Sequence, residues 1–239
     1  LQRVASSTSV PTSTGVHMAT RIEGGGASEG WHAVRPRQTW LETQLVAPRS
    51  GAIRKLVCRL GMTAAQRAAD IAAAPDRTVL RDCIFPEIAK RGGNILFVGV
   101  RAYTADYPAM LESGGGTCWT LDIDPAAAPF GAAGRHATGC IGALADLFPG
   151  VIFSSIVMTG VFGFGVNRFS HQREVIEQCA DALVDGGILV LGWNGGRVHP
   201  SLLEEAAAHW FDYRPLGELP ARIWIRNYDH NFAFLRLRG

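Results

Sequence analysis

The sequence predicts an α/β domain built on a mostly parallel, doubly wound sheet. Short apolar runs recur from residue 92 to the C-terminal end, and helix-compatible segments separate them. The first two runs end in a glycine and an aspartate, Gly99 and Asp122. Alternating strands and helices pair in parallel through right-handed crossovers. That topology gathers the strands' C-terminal ends on one edge, where ligands bind.

Along the chain, residues 1–38 are rich in Ser, Thr and Gly without a periodic apolar pattern, and read as a disordered tail. They lack the apolar core of a signal peptide. Residues 39–91 read as helical. Leu41, Leu45, Ile53, Leu56, Val57 and Leu60 recur near helical spacing, interrupted by Pro48 and Gly51. A second helix is expected over 63–74, with Thr63 as N-cap, and a third over 78–90, bent at Pro86. Such helices either cover a substrate site or only close the sheet. Residues 92–239 form the sheet domain, with strands expected at 94–98, 117–121, 136–140, 151–158, 187–191 and 232–237. Helices are expected between them at 105–113, 142–147, 171–183 and 201–210.

Composition narrows the function classes. Apolar residues make up 47% and charged residues 18%, which suits a well-packed domain. The formal net charge of +2 is too small to mark nucleic acid as a main partner. Cys58, Cys83, Cys118, Cys140 and Cys179 are scattered, with no CxxC pair. They suggest neither a zinc site nor a disulfide framework, and fit reduced thiols in a cytoplasmic protein. The apolar stretch over 151–166 is broken by serines and glycines and is too short to span a bilayer, so no membrane partner is expected.

The turn after the first strand contains a single glycine, Gly99, followed by Arg101 and Tyr103, and is not a GxGxxG loop. A glycine at a strand end lets the backbone approach a ligand closely. Asp122 follows about twenty residues later, where an acid accepts hydrogen bonds from both ribose hydroxyls. Its alternative role, helix N-cap ahead of Pro125, suits Asp124 better.

From residue 92 to 194 the chain resembles the class I S-adenosylmethionine-dependent methyltransferases. The residues that carry this are VGVRAYT, WTLDIDPAAAPFGAAGRH, GVFGFGV and ALVDGGILVLGWN, with HNFAFLRL a looser match. The resemblance implies a Rossmann-like three-layer α/β/α sandwich, with a mostly parallel seven-stranded sheet whose last strand is antiparallel. It implies S-adenosylmethionine as cofactor. The contacts would come from Gly99, Val100, Arg101 and Tyr103, from Asp122 and Ile123, from Cys140 and Ile141, and from Thr159 and Gly160. The family's usual acid at the end of the third strand is replaced by Cys140. Its Phe-Asp at the start of the fourth strand is Phe153-Ser154 here, and its Asn before glycine at the end of that strand is Thr159. Three polar positions therefore change together.

Histidines and aromatics add candidates. His136 reads as structural. His171, at a helix start beside the loop 160–167, is a weak candidate base, and Tyr103 a weak candidate for the methionine end. His199, His209 and His230 show no metal-ligand spacing. Phe162, Phe164, Trp193 and Asn194 could wall an apolar substrate site or pack in the core. The function expected is S-adenosylmethionine-dependent methyl transfer to a small-molecule acceptor. Two alternatives stand beside it: cyclisation or elimination on the same fold, and a non-catalytic subunit. Homo- and hetero-oligomers are both compatible with the sequence.

Overall fold

The computed structural model describes residues 64–198 and 200–239. The expected tail over 1–38, the helical pattern over 39–62 and His199 lie outside the described residues. A helix, α1 (Ala64–Ala72), precedes a longer helical run. That run starts as α2 (Pro75–Val79), widens into a π-helical stretch (Leu80–Ile84) and ends as α3 (Phe85–Arg91). The expected bend at Pro86 takes the form of this wider turn. Proline has no N–H to offer and its ring crowds the preceding turn, and Phe85 N–H donates to Leu80 O, five residues back.

The sheet follows. Strands β1 (Asn94–Val98), β2 (Thr117–Asp122), β3 (His136–Thr138), β4 (Phe153–Thr159) and β5 (Leu183–Trp193) are parallel to one another. Between them lie α4 (Tyr107–Glu112), α5 (Leu144–Leu147) and α6 (Phe169–Asp181). After β5 come α7 (Pro200–Ala207), β6 (Phe211–Tyr213), β7 (Arg222–Trp224) and β8 (Asn231–Leu237). The strand order is β3-β2-β1-β4-β5-β8-β6, and β7 also pairs with β8. The last strand is antiparallel to β5, as expected.

Among the described residues the sheet has eight strands, because two short ones stand where a single strand would lie. One edge of β8 is shared: β6 takes its C-terminal half (Phe211 opposite Leu237) and β7 its N-terminal half (Trp224 opposite Asn231). Pro215 and Pro220 lie between these two strands and keep them apart, since neither can donate to a ladder.

Alternate residues of the central strands feed two cores. Leu96, Val98, Ile156 and Met158 pack on one face with Val175, Ile176 and Leu203 from α6 and α7. Ile95, Phe97, Val157 and Val190 pack on the other with Leu80, Ile84, Phe85 and Ile88 from the π stretch and α3, and with Tyr107 and Leu111 from α4. Both faces are covered, which explains why the strands read as continuous apolar runs rather than alternating ones. The result is a three-layer α/β/α sandwich. Its strand order reverses between β1 and β4, and the crevice outside their C-terminal ends is the natural ligand position in such sheets. Among the described residues, no helix is long and apolar enough to cross a membrane, and no group of His, Cys, Asp and Glu could hold a metal ion.

Candidate active site at the carboxyl edge of the sheet

β1 ends in Gly99, whose φ is 100°. Its N–H donates to Leu121 O (3.0 Å), tying the turn to β2. A Cβ built here would lie 2.9 Å from Thr159 O. Glycine is therefore required here by the close approach of the end of β4. Gly99→Val is expected to cost about 2 kcal/mol or more, through positive φ and this contact. Thermal melting should show a fall of roughly 4–8 °C. An unchanged melting temperature would mean that the turn relaxes freely.

The turn continues through a 3₁₀ stretch (Ala102–Thr104), held by Thr104 Oγ1, which accepts from Arg101 N–H and donates to Arg101 O (both 2.9 Å). Val100 is buried in the core, so only its backbone faces the edge. Arg101 folds back across the turn. Its Nη1 donates to Val100 O and to Asp122 Oδ2, both at 2.6 Å. The hydrogen bond to Asp122 raises the Arg101 pKa against the opposing effect of burial.

Asp122 ends β2 and is 4% exposed. Its Oδ1 accepts from Asp124 N–H (2.8 Å) while Oδ2 holds Arg101. Asp124 caps the 3₁₀ helix Pro125–Phe130, accepting from Ala126 N–H at 3.0 Å, the role expected for it. Beside Asp122, Ile123 is 70% exposed, an unusual position for a large apolar side chain. Gly139 N–H donates to Asp122 O (2.9 Å), which brings Cys140 and Ile141 to the same edge; Cys140 is exposed and Ile141 buried. At the end of β4, Thr159 is buried and Gly160 N–H donates to Gly192 O.

One of the three altered polar positions proves unrelated to this edge. Ser154 sits at the opposite end of β4, its hydroxyl 2.5 Å from Gly92 O and 3.0 Å from Asn94 O. It anchors the start of β1.

The remaining candidates divide. Tyr103 lies at the edge, with the Arg77 guanidinium 5.4 Å from its ring centroid. His171 is exposed on the first turn of α6 and makes no described contact with these groups. His136 bonds Thr120 Oγ1 through Nδ1 (3.0 Å), and burial lowers its pKa; it braces β3 on β2. Phe162 and Trp193 are core residues. Of the expected aromatic wall only Phe164 is exposed, stacked under Arg197 at 4.3 Å. Asn194 donates to Asp229 O and belongs to the loop packing. Burial pushes the Cys118 and Cys179 thiols up to about 12, so neither is a nucleophile.

Three residues that sequence reasoning did not connect meet at this edge. Asp76 and Arg77 open α2, which runs back along the sheet and so starts near the ends of β1 and β4. Arg77 Nη1 donates to Thr159 Oγ1 (3.2 Å), and Arg77 Nε lies 3.3 Å from Asp76 Oδ2. His230 arrives from the β7–β8 turn, where Asn227 adopts a φ of 61° and His230 N–H donates to Tyr228 O. Its Nδ1 lies 3.8 Å from Asp76 Oδ2. Asp76 is 5% exposed and His230 3%, yet Asp76 Oδ1 and His230 Nε2 have no hydrogen-bond partner. The only sequence signals were an acid directly after the helix-starting Pro75 and a polar DHN ahead of the last apolar run.

No family model matches the chain, and no curated protein matches it in sequence. Solved structures do match. The N-methyltransferase NodS of Bradyrhizobium japonicum WM9 superposes with a TM-score of 0.51 at 17% identity, over 70% of this chain and 99% of that one. An S-adenosylmethionine-dependent methyltransferase from Clostridium acetobutylicum ATCC 824 gives 0.51 at 9% identity, over 74% and 100%. Another from Bacteroides fragilis, in complex with S-adenosyl-L-homocysteine, gives 0.50 at 14% identity, over 67% and 77%. At these identities the likeness is one of architecture: the chain has the Rossmann-like fold of the S-adenosylmethionine-dependent methyltransferases.

Proposed function

We propose that this protein is an S-adenosylmethionine-dependent methyltransferase acting on a small-molecule acceptor. The observation that carries the reading is Asp122, a buried carboxylate at the carboxyl end of β2, beside the turn that follows β1. The residues present fit the cofactor. Asp122 would receive the ribose hydroxyls. Exposed Ile123, with Cys140 and Ile141, would flank the adenine. The backbone of Gly99–Tyr103 and the end of β4 at Thr159–Gly160 would take the methionine part. When bound, S-adenosylmethionine supplies a methyl group already activated on a sulfonium. The chain then has to bind, orient and exclude water rather than generate a reactive group. The modest net charge of +2 supports a small acceptor over a nucleic acid. Four free cysteines among the described residues support action in the reducing cytoplasm.

A second reading is favoured by one observation. Arg101 already occupies Asp122 Oδ2, and Cys140 stands where the family has an acid. Both suit a chain with altered cofactor use, or a scaffold subunit. Calorimetric titration with S-adenosylhomocysteine separates the two. The first reading expects saturable heat; no heat at millimolar ligand sinks it. It also expects Arg101→Ala to bind two- to fivefold more tightly. The ribose would no longer compete with an ion pair whose arginine side chain is 45% exposed and which is worth only ~0.5–1 kcal/mol.

A further inference from the structure

The Asp76–Arg77–His230 cluster lies at the sheet edge where the reacting end of a methyl donor and its acceptor would meet. Four backbone positions form a contiguous row there. Thr159 O lies 2.9 Å from where a Gly99 Cβ would be. Thr159 is paired in register with Gly192, and Gly192 with Phe232, two residues beyond His230. A Cβ on Gly192 would lie 2.9 Å from Thr159 Cγ2 and 3.0 Å from His230 Nε2. Glycine at 192 is what allows the imidazole edge to reach the end of β4. The row thus runs from the turn after β1, across β4 and β5, to a histidine nitrogen.

Nothing in the packing accounts for that nitrogen. His230 Nε2 and Asp76 Oδ1 are buried without a hydrogen-bond partner, while Arg77 Nε faces Asp76 Oδ2 at 3.3 Å. A buried polar atom without a partner costs ~1–3 kcal/mol, and two in one cluster are expensive unless a ligand completes them. The groups facing His230 are Asp76, Arg77 and Asp229. The Asp76 carboxylate faces Nδ1 at 3.8 Å, on the opposite side of the ring from Nε2, which lies against Gly192.

We propose that His230 is the proton acceptor of the reaction and Asp76 its positioning residue, and that the acceptor substrate is a hydroxyl compound. This rests on the methyltransferase reading. A hydroxyl is a poor nucleophile until a base takes its proton in the transition state, and general-base help of this kind is worth ~10²–10⁴ in rate. The acceptor oxygen gives its proton to Nε2 as it takes the methyl group, and the electron pair of the broken carbon–sulfur bond stays on sulfur. The positive charge lost from the sulfonium reappears on the imidazolium, where the Asp76 carboxylate stabilises it. Arg77, lying over Tyr103 and bonded to Thr159, holds Asp76 through Nε at 3.3 Å.

Nitrogen NMR on the full chain, labelled at histidine, tests this without an acceptor in hand. The His230 signals are assigned through backbone correlations, and S-adenosylmethionine and S-adenosylhomocysteine are each titrated with calorimetry alongside. The proposal expects Nε2 to be unprotonated at pH 7, and to lose that state in a measurable fraction of molecules in Asp76→Asn. It also expects the Nε2 signal to differ between the sulfonium and thioether ligands, because only the sulfonium places a positive charge beside it. A protonated Nε2, or an identical response to two ligands that both bind, overturns the role of His230 while leaving the methyltransferase reading intact. Absence of binding by both ligands overturns that reading and this inference with it.

Discussion

Asp122→Ala should weaken S-adenosylhomocysteine binding by about ten- to a hundredfold. An ionised carboxylate that accepts from two ribose hydroxyls makes charge-assisted bonds worth ~1.5–3 kcal/mol, and each ~1.4 kcal/mol is a decade in affinity. Two features push the result toward the lower end of that range. Oδ1 is already bonded to Asp124 N–H, and Oδ2 must release Arg101 before a ribose hydroxyl can take its place. The same bonds mean that the substitution is not silent for stability. Asp122 is buried, and its loss leaves the Asp124 amide without its partner at ~1 kcal/mol. Affinity is therefore compared at 25 °C, where both chains are folded, with the melting temperature measured separately. Pairing the substitution with Arg101→Ala sharpens the test. If both residues act on the ribose, the double variant should match Asp122→Ala, since the arginine competes only through the carboxylate. Wild-type affinity in Asp122→Ala would remove the acid from the site and leave the scaffold reading in its place.

The sheet was readable because parallel strands covered on both faces leave unbroken apolar runs, and NILFV at 94–98 is such a run. Gly99 and Asp122 were readable for a related reason: each ends a run, and strand ends of a parallel sheet converge. The contact of Gly99 with β4 was not. Its glycine is required by Thr159 O, on a strand some sixty residues further on, and no local pattern reports a contact across β1 and β4. Ser154 was misread for the same reason. A substituted family position suggests a weakened site only if it lies on the ligand edge, and β4 places Ser154 at the other end. β6 and β7 were invisible because three residues carry no period. Arg101 was expected as a cofactor contact in the turn, and only its folded-back side chain reveals that it pairs with Asp122.

The cluster at Asp76 and His230 was the least legible part, because its members come from opposite ends of the domain and neither sits in a motif. Its burial has a consequence that can be measured without any ligand. An unfolded histidine titrates near 6.5, whereas in the folded chain burial pushes His230 down to about 4; Arg77 adds to the depression, and Asp76 and Asp229 oppose it. Between these values the unfolded chain holds a proton that the folded chain does not. Protonation then favours unfolding, so this contribution to stability is fully present above pH 6.5 and is lost as the pH falls toward 4. At ~1.4 kcal/mol per unit the loss approaches about 3 kcal/mol, equivalent to roughly 6–12 °C in melting temperature for a domain of this size. Carboxylates titrating in the same window add their own slope, so the informative quantity is a difference. His230→Gln keeps a polar side chain of similar reach and cannot titrate. Its melting temperature should start lower at pH 7.5 but fall less steeply between pH 6.5 and 4, and the two curves should converge. Parallel curves would show that the imidazole takes up its proton in the folded chain as readily as in the unfolded one. A His230 that is open to solvent in this way would also lose the sheltered, unpartnered Nε2 on which its role as proton acceptor depends.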